Sequence, residues 1–202
     1  VTLVCAPAGY GKSTLVASWL RRLGTDAAWI HLTSAHNDPG QAWGAILEGL
    51  RRAAPSSETA AALTALGELA QRAPVEIPAR LAAWANNPDQ PTVLVLDDAH
   101  SVTTEAAHGQ LVEWIAAAPE RLRLVLITRH DPPWPLHRMR LDGLLRDVRS
   151  DVLAFDLDEA AALFAFTDLG LPADQARHLV DRTQGWAAGL RLAALGASAA
   201  AD

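Results

Sequence analysis

Apolar and polar positions along the chain fall into blocks of two kinds, short continuous runs and stretches of helical period. Val1-Thr2-Leu3-Val4-Cys5 is a run of strand-forming residues and predicts a first strand. From Lys12 to Leu23 the period turns helical, with Leu15, Val16, Trp19, Leu20 and Leu23 expected on one stripe and Gly24 as the C-cap. Ala27 to Leu32 predicts a second strand. Asn37-Asp38-Pro39-Gly40 then reads as a turn, with Asp38 as N-cap and Pro39 at the first helical position. The helix that follows, about Gln41 to Ala54, brings Trp43, Ile46, Leu47 and Leu50 together.

Residues 55–91 are alanine-rich, with Leu63, Leu66 and Leu69, then Leu81 and Trp84, in helical spacing. Pro55, Pro74, Pro78, Pro88 and Pro91 punctuate them, which predicts two short helices beside a sheet. Val93-Leu94-Val95-Leu96 is continuously aliphatic, as in a strand of a parallel sheet covered on both faces. A helix near Thr104 to Ala118 leads to a second such strand, Leu122 to Thr128. Between 134 and 150, Arg138, Arg140, Arg146 and Arg149 alternate with apolar positions and predict a solvated helix face. Asp151 to Phe155 is expected as the last strand. Asp156 and Glu159 make a capping-box pair ahead of Leu163 and Phe166. Helices of about Ala173 to Thr183 and Trp186 to Leu195 follow, with Gly170 and Pro172 as the break. These three helices cannot join the sheet. The expectation is therefore an α/β domain over 1–155 and a small all-α subdomain over 156–202.

Composition narrows the classes. At 202 residues, half of them hydrophobic, the chain is long enough for one α/β domain with a small appendage. A net charge of −6, scattered along the chain, argues against direct nucleic-acid binding by this segment. Cys5 is the single cysteine, so no intrachain disulfide forms, which fits a reducing, cytoplasmic compartment. No apolar run reaches membrane-spanning length and no signal-peptide pattern is present. A start on a strand and an alanine-rich end suggest a piece of a longer protein.

Between the first strand and first helix stands Ala6-Pro7-Ala8-Gly9-Tyr10-Gly11-Lys12-Ser13-Thr14, the pattern of a phosphate-binding P-loop with Ala6 in place of the usual first glycine. Small residues let successive backbone N–H groups curl around a phosphate, and the helix N-terminus adds free donors and its positive dipole end. Pro7, Ala8, Gly9, Tyr10, Gly11, Lys12, Ser13 and Thr14 are thus the candidate nucleotide-binding residues, with Lys12 reaching the terminal phosphates and Ser13 holding Mg²⁺. Lys12 is the only lysine beside sixteen arginines, kept where a compact ammonium is wanted. Asp97 and Asp98 end an aliphatic strand on the side where open α/β sheets bind ligands. Asp97 is the candidate second Mg²⁺ ligand and Asp98 the candidate group that activates water. Arg129, at the end of the next aliphatic strand, points either at a γ-phosphate or into a salt bridge with a nearby Asp. The histidines, His31, His36, His100, His108, His130 and His137 among them, show no metal-binding spacing and are expected to be structural or surface residues.

Five motifs in order give the chain a resemblance to STAND-type signalling NTPases of the maltose-regulator branch, large ATP-binding transcription regulators of the LuxR type. They are residues 1–16, Asn37-Asp38-Pro39, Val95-Leu96-Asp97-Asp98-Ala99-His100, Thr128-Arg129-His130-Asp131-Pro132-Pro133 and Gly185-Trp186-Ala187-Ala188-Gly189-Leu190. The resemblance implies a P-loop NTPase three-layer α/β sandwich of the ASCE type, with a mostly parallel sheet in strand order 5-1-4-3-2, followed by a helical lid. It implies an ATP/ADP switch with slow Mg²⁺-dependent hydrolysis and self-association on activation in the full-length protein. DNA would be bound only through a domain absent from this chain, and no membrane partner is implied. Ala187 stands where related switches carry a proline near the nucleotide, so a packing role for Trp186 stands beside an adenine contact. Thr33-Ser34-Ala35-His36 replaces the acidic residues usual in relatives.

Two other readings remain at this point, a small-molecule P-loop kinase with the Arg-rich 129–149 stretch closing over phosphates, and a scaffold that binds nucleotide without hydrolysing it. A GTPase is set aside, because the guanine-reading Asn-Lys-x-Asp element needs a second lysine.

Overall fold

The computed structural model describes residues 1–54, 56–85, 92–117, 122–166 and 172–199. The expected breaks at Pro55, Pro88, Pro91 and Gly170 and the helix end at Ala118 lie outside the described residues. In chain order the elements are β1 (Thr2–Cys5), α1 (Lys12–Leu23), β2 (Ala27–His31), α2 (Pro39–Arg52), α3 (Ser57–Ala70), α4 (Ile77–Ala85), β3 (Thr92–Asp97), α5 (Glu105–Ala117) and β4 (Leu122–Thr128). After these come α6 (Leu136–Leu141), β5 (Arg146–Arg149), α7 (Ser150–Leu153), α8 (Leu157–Phe166), α9 (Ala173–Thr183) and α10 (Ala187–Ala199). Short 3₁₀ turns at Ser34–Asn37, Pro74–Glu76 and Ala99–Ser101 join some of them.

Among the described residues five strands form one sheet in the order β2-β3-β4-β1-β5, and each of these pairings is parallel. Read from its other edge this is the expected 5-1-4-3-2. The aliphatic runs occupy the middle because only there are both faces covered. Leu94 and Leu96 face a core built with Trp43, Leu63, Leu81 and Trp114 of α2 to α5, whereas Val93 and Val95 face Val16 and Leu20 of α1. The alternation of a strand thus divides one run between two layers. On the edge, β2 alternates, with Ala28 and Ile30 buried and Trp29 and His31 exposed. Trp43 and Trp114 meet edge to face at 5.5 Å in the larger core. A third, separate cluster joins α8, α9 and α10 through Ala160, Phe164, Ala176, Leu190 and Ala194.

Three expectations are corrected. The last strand is Arg146–Arg149, and Ser150–Leu153 is a helical turn. As an edge strand β5 pairs with β1 alone and stays polar and half-open, so no apolar pattern marks it. The apolar Leu153 that suggested a strand instead packs under Val4 and Ala6. Consequently the 134–150 stretch is not one helix face: only Leu136–Leu141 is helical, and Arg146 and Arg149 belong to β5. Finally, α1 buries Lys12, Val16 and Leu20, a narrow i, i+4 line, while Leu15, Trp19 and Leu23 stay 37–48% exposed. Leu15 turns instead toward a cleft below α8 and α10.

Candidate functional site

Parallel strands present their C-terminal ends on one side, and there Cys5, Asp97 and Thr128 end β1, β3 and β4. The loop after β1 turns into α1 at Gly11, which has a left-handed backbone and no side-chain cap, so the cap leaves the helix's first N–H groups open. An anion in this loop would meet those donors and the positive end of the α1 dipole. Lys12 is 8% exposed, and its Nζ donates to the Pro7 carbonyl at 2.9 Å. Burial pushes the ammonium below its ordinary pKa and Arg129 adds to the shift, while Asp98 and Asp97 oppose it.

Ser13, on the first turn of α1, donates its hydroxyl to Asp97 Oδ1 at 3.2 Å. The same carboxylate oxygen accepts the Asp98 N–H at 2.9 Å, which fixes the Asp97 side chain against the strand end. Hydroxyl and carboxylate oxygens facing each other beside a phosphate-binding loop are a hard donor set that fits Mg²⁺. No cluster of three or more His, Cys, Asp or Glu side chains suited to a metal exists among the described residues.

Asp98 occupies the left-handed region, with φ 55° and ψ 39°. That conformation turns its side chain out of the strand direction, between two imidazoles: His31 Nδ1 lies 3.6 Å away and His100 Nδ1 3.7 Å away. Burial lowers the His100 pKa, Asp98 opposes this, and Arg129 and His130 reinforce it. His100 and His130 also meet edge to face at 5.7 Å. Arg129 is exposed at the end of β4 and makes no ion pair among the described residues. The nearby acid, Asp131, pairs instead with Arg149, which also holds Asp147 at 2.6 Å. Asp147 further accepts from Arg140 at 2.7 Å.

Above the loop sits Trp186, a second side chain after Arg129 whose role the sequence left open. Trp186 donates its indole N–H to the Ala8 carbonyl at 2.9 Å, and the Ala188 N–H donates to the Gly9 carbonyl at 3.0 Å. The contact is close enough to exclude a side chain: a Cβ at Gly9 would lie 2.5 Å from Trp186 Nε1 and 2.6 Å from Ala188 Cβ. Gly185, with φ 70°, abuts Phe155 and accepts that residue's N–H at 2.9 Å. The helical cluster is therefore hydrogen-bonded directly to the outer carbonyls of the P-loop. Between them opens a cleft of about 800 Å³, lined by Tyr10, Ser13, Leu15, Val152, Phe155 and Arg191 among others. Thr14 lines the same cleft.

Residues 1–138 match the family model of the AAA ATPase domain. The chain is 32% identical over 199 residues to the HTH-type transcriptional regulator MalT of Serratia proteamaculans (strain 568), covering 98% of this chain and 22% of that protein. To the protein of the same name in Yersinia enterocolitica it is 30% identical over 198 residues, covering 96% and 22%. It is also 35% identical over 202 residues to the serine/threonine-protein kinase PknK of Mycobacterium tuberculosis, covering 96% of this chain and 18% of the kinase. The chain thus spans about a fifth of the length of the curated relatives it matches.

Proposed function

Since the chain belongs to the AAA ATPase domain family, we propose that it is the ATP/ADP-binding switch module of a larger transcription regulator, with slow Mg²⁺-dependent ATP hydrolysis that resets the switch. The observation that carries this reading is the docking of Trp186 and Ala188 on the carbonyls of Ala8 and Gly9, because it gives the helical segment a direct mechanical connection to the phosphate loop. In this reading residues 1–155 are the nucleotide-binding domain and 156–202 a lid, and differential affinity of ATP and ADP for lid positions supplies the switch. The likeness to regulators named HTH-type supports a DNA-binding part elsewhere in the full protein, and self-association on activation and work in the cytoplasm belong to the same proposal.

Each side chain has a role in this proposal. The P-loop N–H groups and Lys12 bind the phosphates, and Lys12 exchanges the Pro7 carbonyl for a phosphate oxygen. Ser13 and Asp97 would hold Mg²⁺, which when bound neutralises phosphate charge. Asp98 takes a proton from the attacking water as the water oxygen bonds to the γ-phosphorus. The bond to the bridging oxygen breaks, and ADP leaves with that electron pair. Arg129, free of ion pairs among the described residues, faces the γ-phosphate.

A kinase reading finds less support. The arginines that would close over phosphates include Arg140 and Arg149, and these are tied to Asp147 and Asp131. The name of the mycobacterial relative belongs to a protein five times longer.

Asp98→Ala is the direct test of the reaction. It should leave ADP affinity within about twofold and lower phosphate release by roughly a hundredfold or more, as for loss of a general base. Turnover unchanged in Asp98→Ala would remove the residue from the mechanism, and phosphate found on an added alcohol would favour the kinase.

A further inference from the structure

The Asn-Asp-Pro turn after β2 has a side chain that the proposed reaction does not use and that the fold does not need for its core. Asn37 is half-buried, and its amide is engaged on both ends. Its Oδ1 accepts the Thr103 N–H at 2.7 Å, the Thr104 N–H at 3.0 Å and the Thr103 hydroxyl at 3.3 Å. Its Nδ2 donates to the Ser34 carbonyl at 3.0 Å and to the Ser101 carbonyl at 3.3 Å. Its own carbonyl accepts the Thr104 hydroxyl at 2.8 Å. Only an amide offers two donors and a two-lone-pair acceptor in this geometry, so neither Asp nor Ser can reproduce the set.

The partners are the segment that leaves Asp98. Ser101 donates its N–H to the Asp98 carbonyl at 2.9 Å, so the Asn37 bond to Ser101 is one residue pair removed from Asp98 itself. Asp98 is held in a left-handed backbone that a non-glycine residue keeps only when its surroundings fix it. The anchor end is firm. Asp38, the next residue, caps α2 by accepting the Gln41 N–H at 2.9 Å, and α2 is rooted in the core through Trp43, Ile46, Leu47 and Leu50. On the other side the 3₁₀ turn is closed by the Thr33 N–H donating to His36 Nδ1 at 2.8 Å.

We propose that Asn37 is a positioning residue for hydrolysis, which sets the backbone of 98–104 and thereby the direction of the Asp98 carboxylate. This rests on the ATPase reading of the site. Asn37 touches neither the P-loop nor Lys12 among the contacts described, so binding of the phosphates and orientation of the water-activating acid separate at this residue.

The test compares wild-type protein with Asn37→Ala and Asn37→Asp, using ADP affinity, single-turnover hydrolysis of Mg²⁺-ATP and amide hydrogen exchange. Asn37→Ala is expected to keep ADP affinity within about threefold, slow hydrolysis by roughly tenfold or more, and expose the Thr103 and Thr104 amides while the α1 amides from Leu15 to Trp19, bonded within the helix, keep their protection. Asn37→Asp retains the acceptor oxygen and should restore protection at Thr103 and Thr104, with an intermediate rate. Equal losses in ADP affinity and rate would overturn the proposal by showing general damage, and so would an unchanged rate with unchanged exchange. Absence of turnover in the wild type would strike the ATPase reading instead. Exchange would then decide the anchor alone, with retained protection in Asn37→Ala overturning it.

Discussion

Trp186 Nε1 and the Ala8 carbonyl, 2.9 Å apart, join residues 178 positions apart in sequence, and they meet at an exposed edge of the P-loop. A phosphate is expected on the inner side of the loop, where the N–H groups point, so this outer carbonyl remains available to the helical cluster while nucleotide is bound. Trp186→Phe removes the donor and keeps an aromatic ring over Gly9. A neutral hydrogen bond is worth about 1 kcal/mol net, so release of a fluorescent ADP analogue should quicken by roughly fivefold. An unchanged release rate would mean that the bond does not couple the helical cluster to the loop. At this scale Lys12, Ser13, Asp97 and Asp98 were legible in the sequence, because their spacing from glycines and strand ends announces them. The partner of Trp186 was not legible. An indole can donate to any carbonyl, and no side-chain identity marks the carbonyl of Ala8. Asn37 was visible only as part of a turn, since five of its six bonds go to backbone or to common hydroxyls far along the chain.

Elements show where hydrophobic pattern informs and where it fails. β3 and β4 declare themselves because burial on both faces demands continuous aliphatic residues. β5 does not, being a four-residue edge strand of Arg-Asp-Val-Arg held by β1 on one side and by charge on the other. Its Asp147 accepts from Arg140 and Arg149, which holds its carboxyl down to about 2 against an ordinary 3.8. A depressed carboxylate contributes stability above the unfolded pKa and loses it as pH falls through the folded one. Asp147→Asn should therefore be less stable than wild type at neutral pH, by about 1 kcal/mol for pairs this exposed to solvent. That difference should shrink between pH 4 and pH 2. Thermal unfolding across this range checks it, and a deficit that persists undiminished at pH 2 would show that Asp147 acts through packing. For α1 the helix limits were readable to the residue, yet its buried face was not. The helical period gave a broad stripe, and which line of it meets the sheet depends on neighbours that periodicity does not contain.

Taken whole, the molecule is a parallel sheet with helices on both faces and a separate helical cluster fastened to the loop after β1. Strand order followed from likeness to a family, since periodicity predicts strands and not their neighbours. No helix among the described residues is long and apolar enough to cross a membrane. The central claim is that the loop from Pro7 to Thr14 holds the phosphates of an adenine nucleotide through Lys12. Calorimetric titration of ADP into the wild type and into Lys12→Ala, each first shown to be folded by circular dichroism, tests it most directly. One-to-one binding by the wild type and none detectable in Lys12→Ala is the predicted result. Equal ADP affinity in the two proteins would contradict the account.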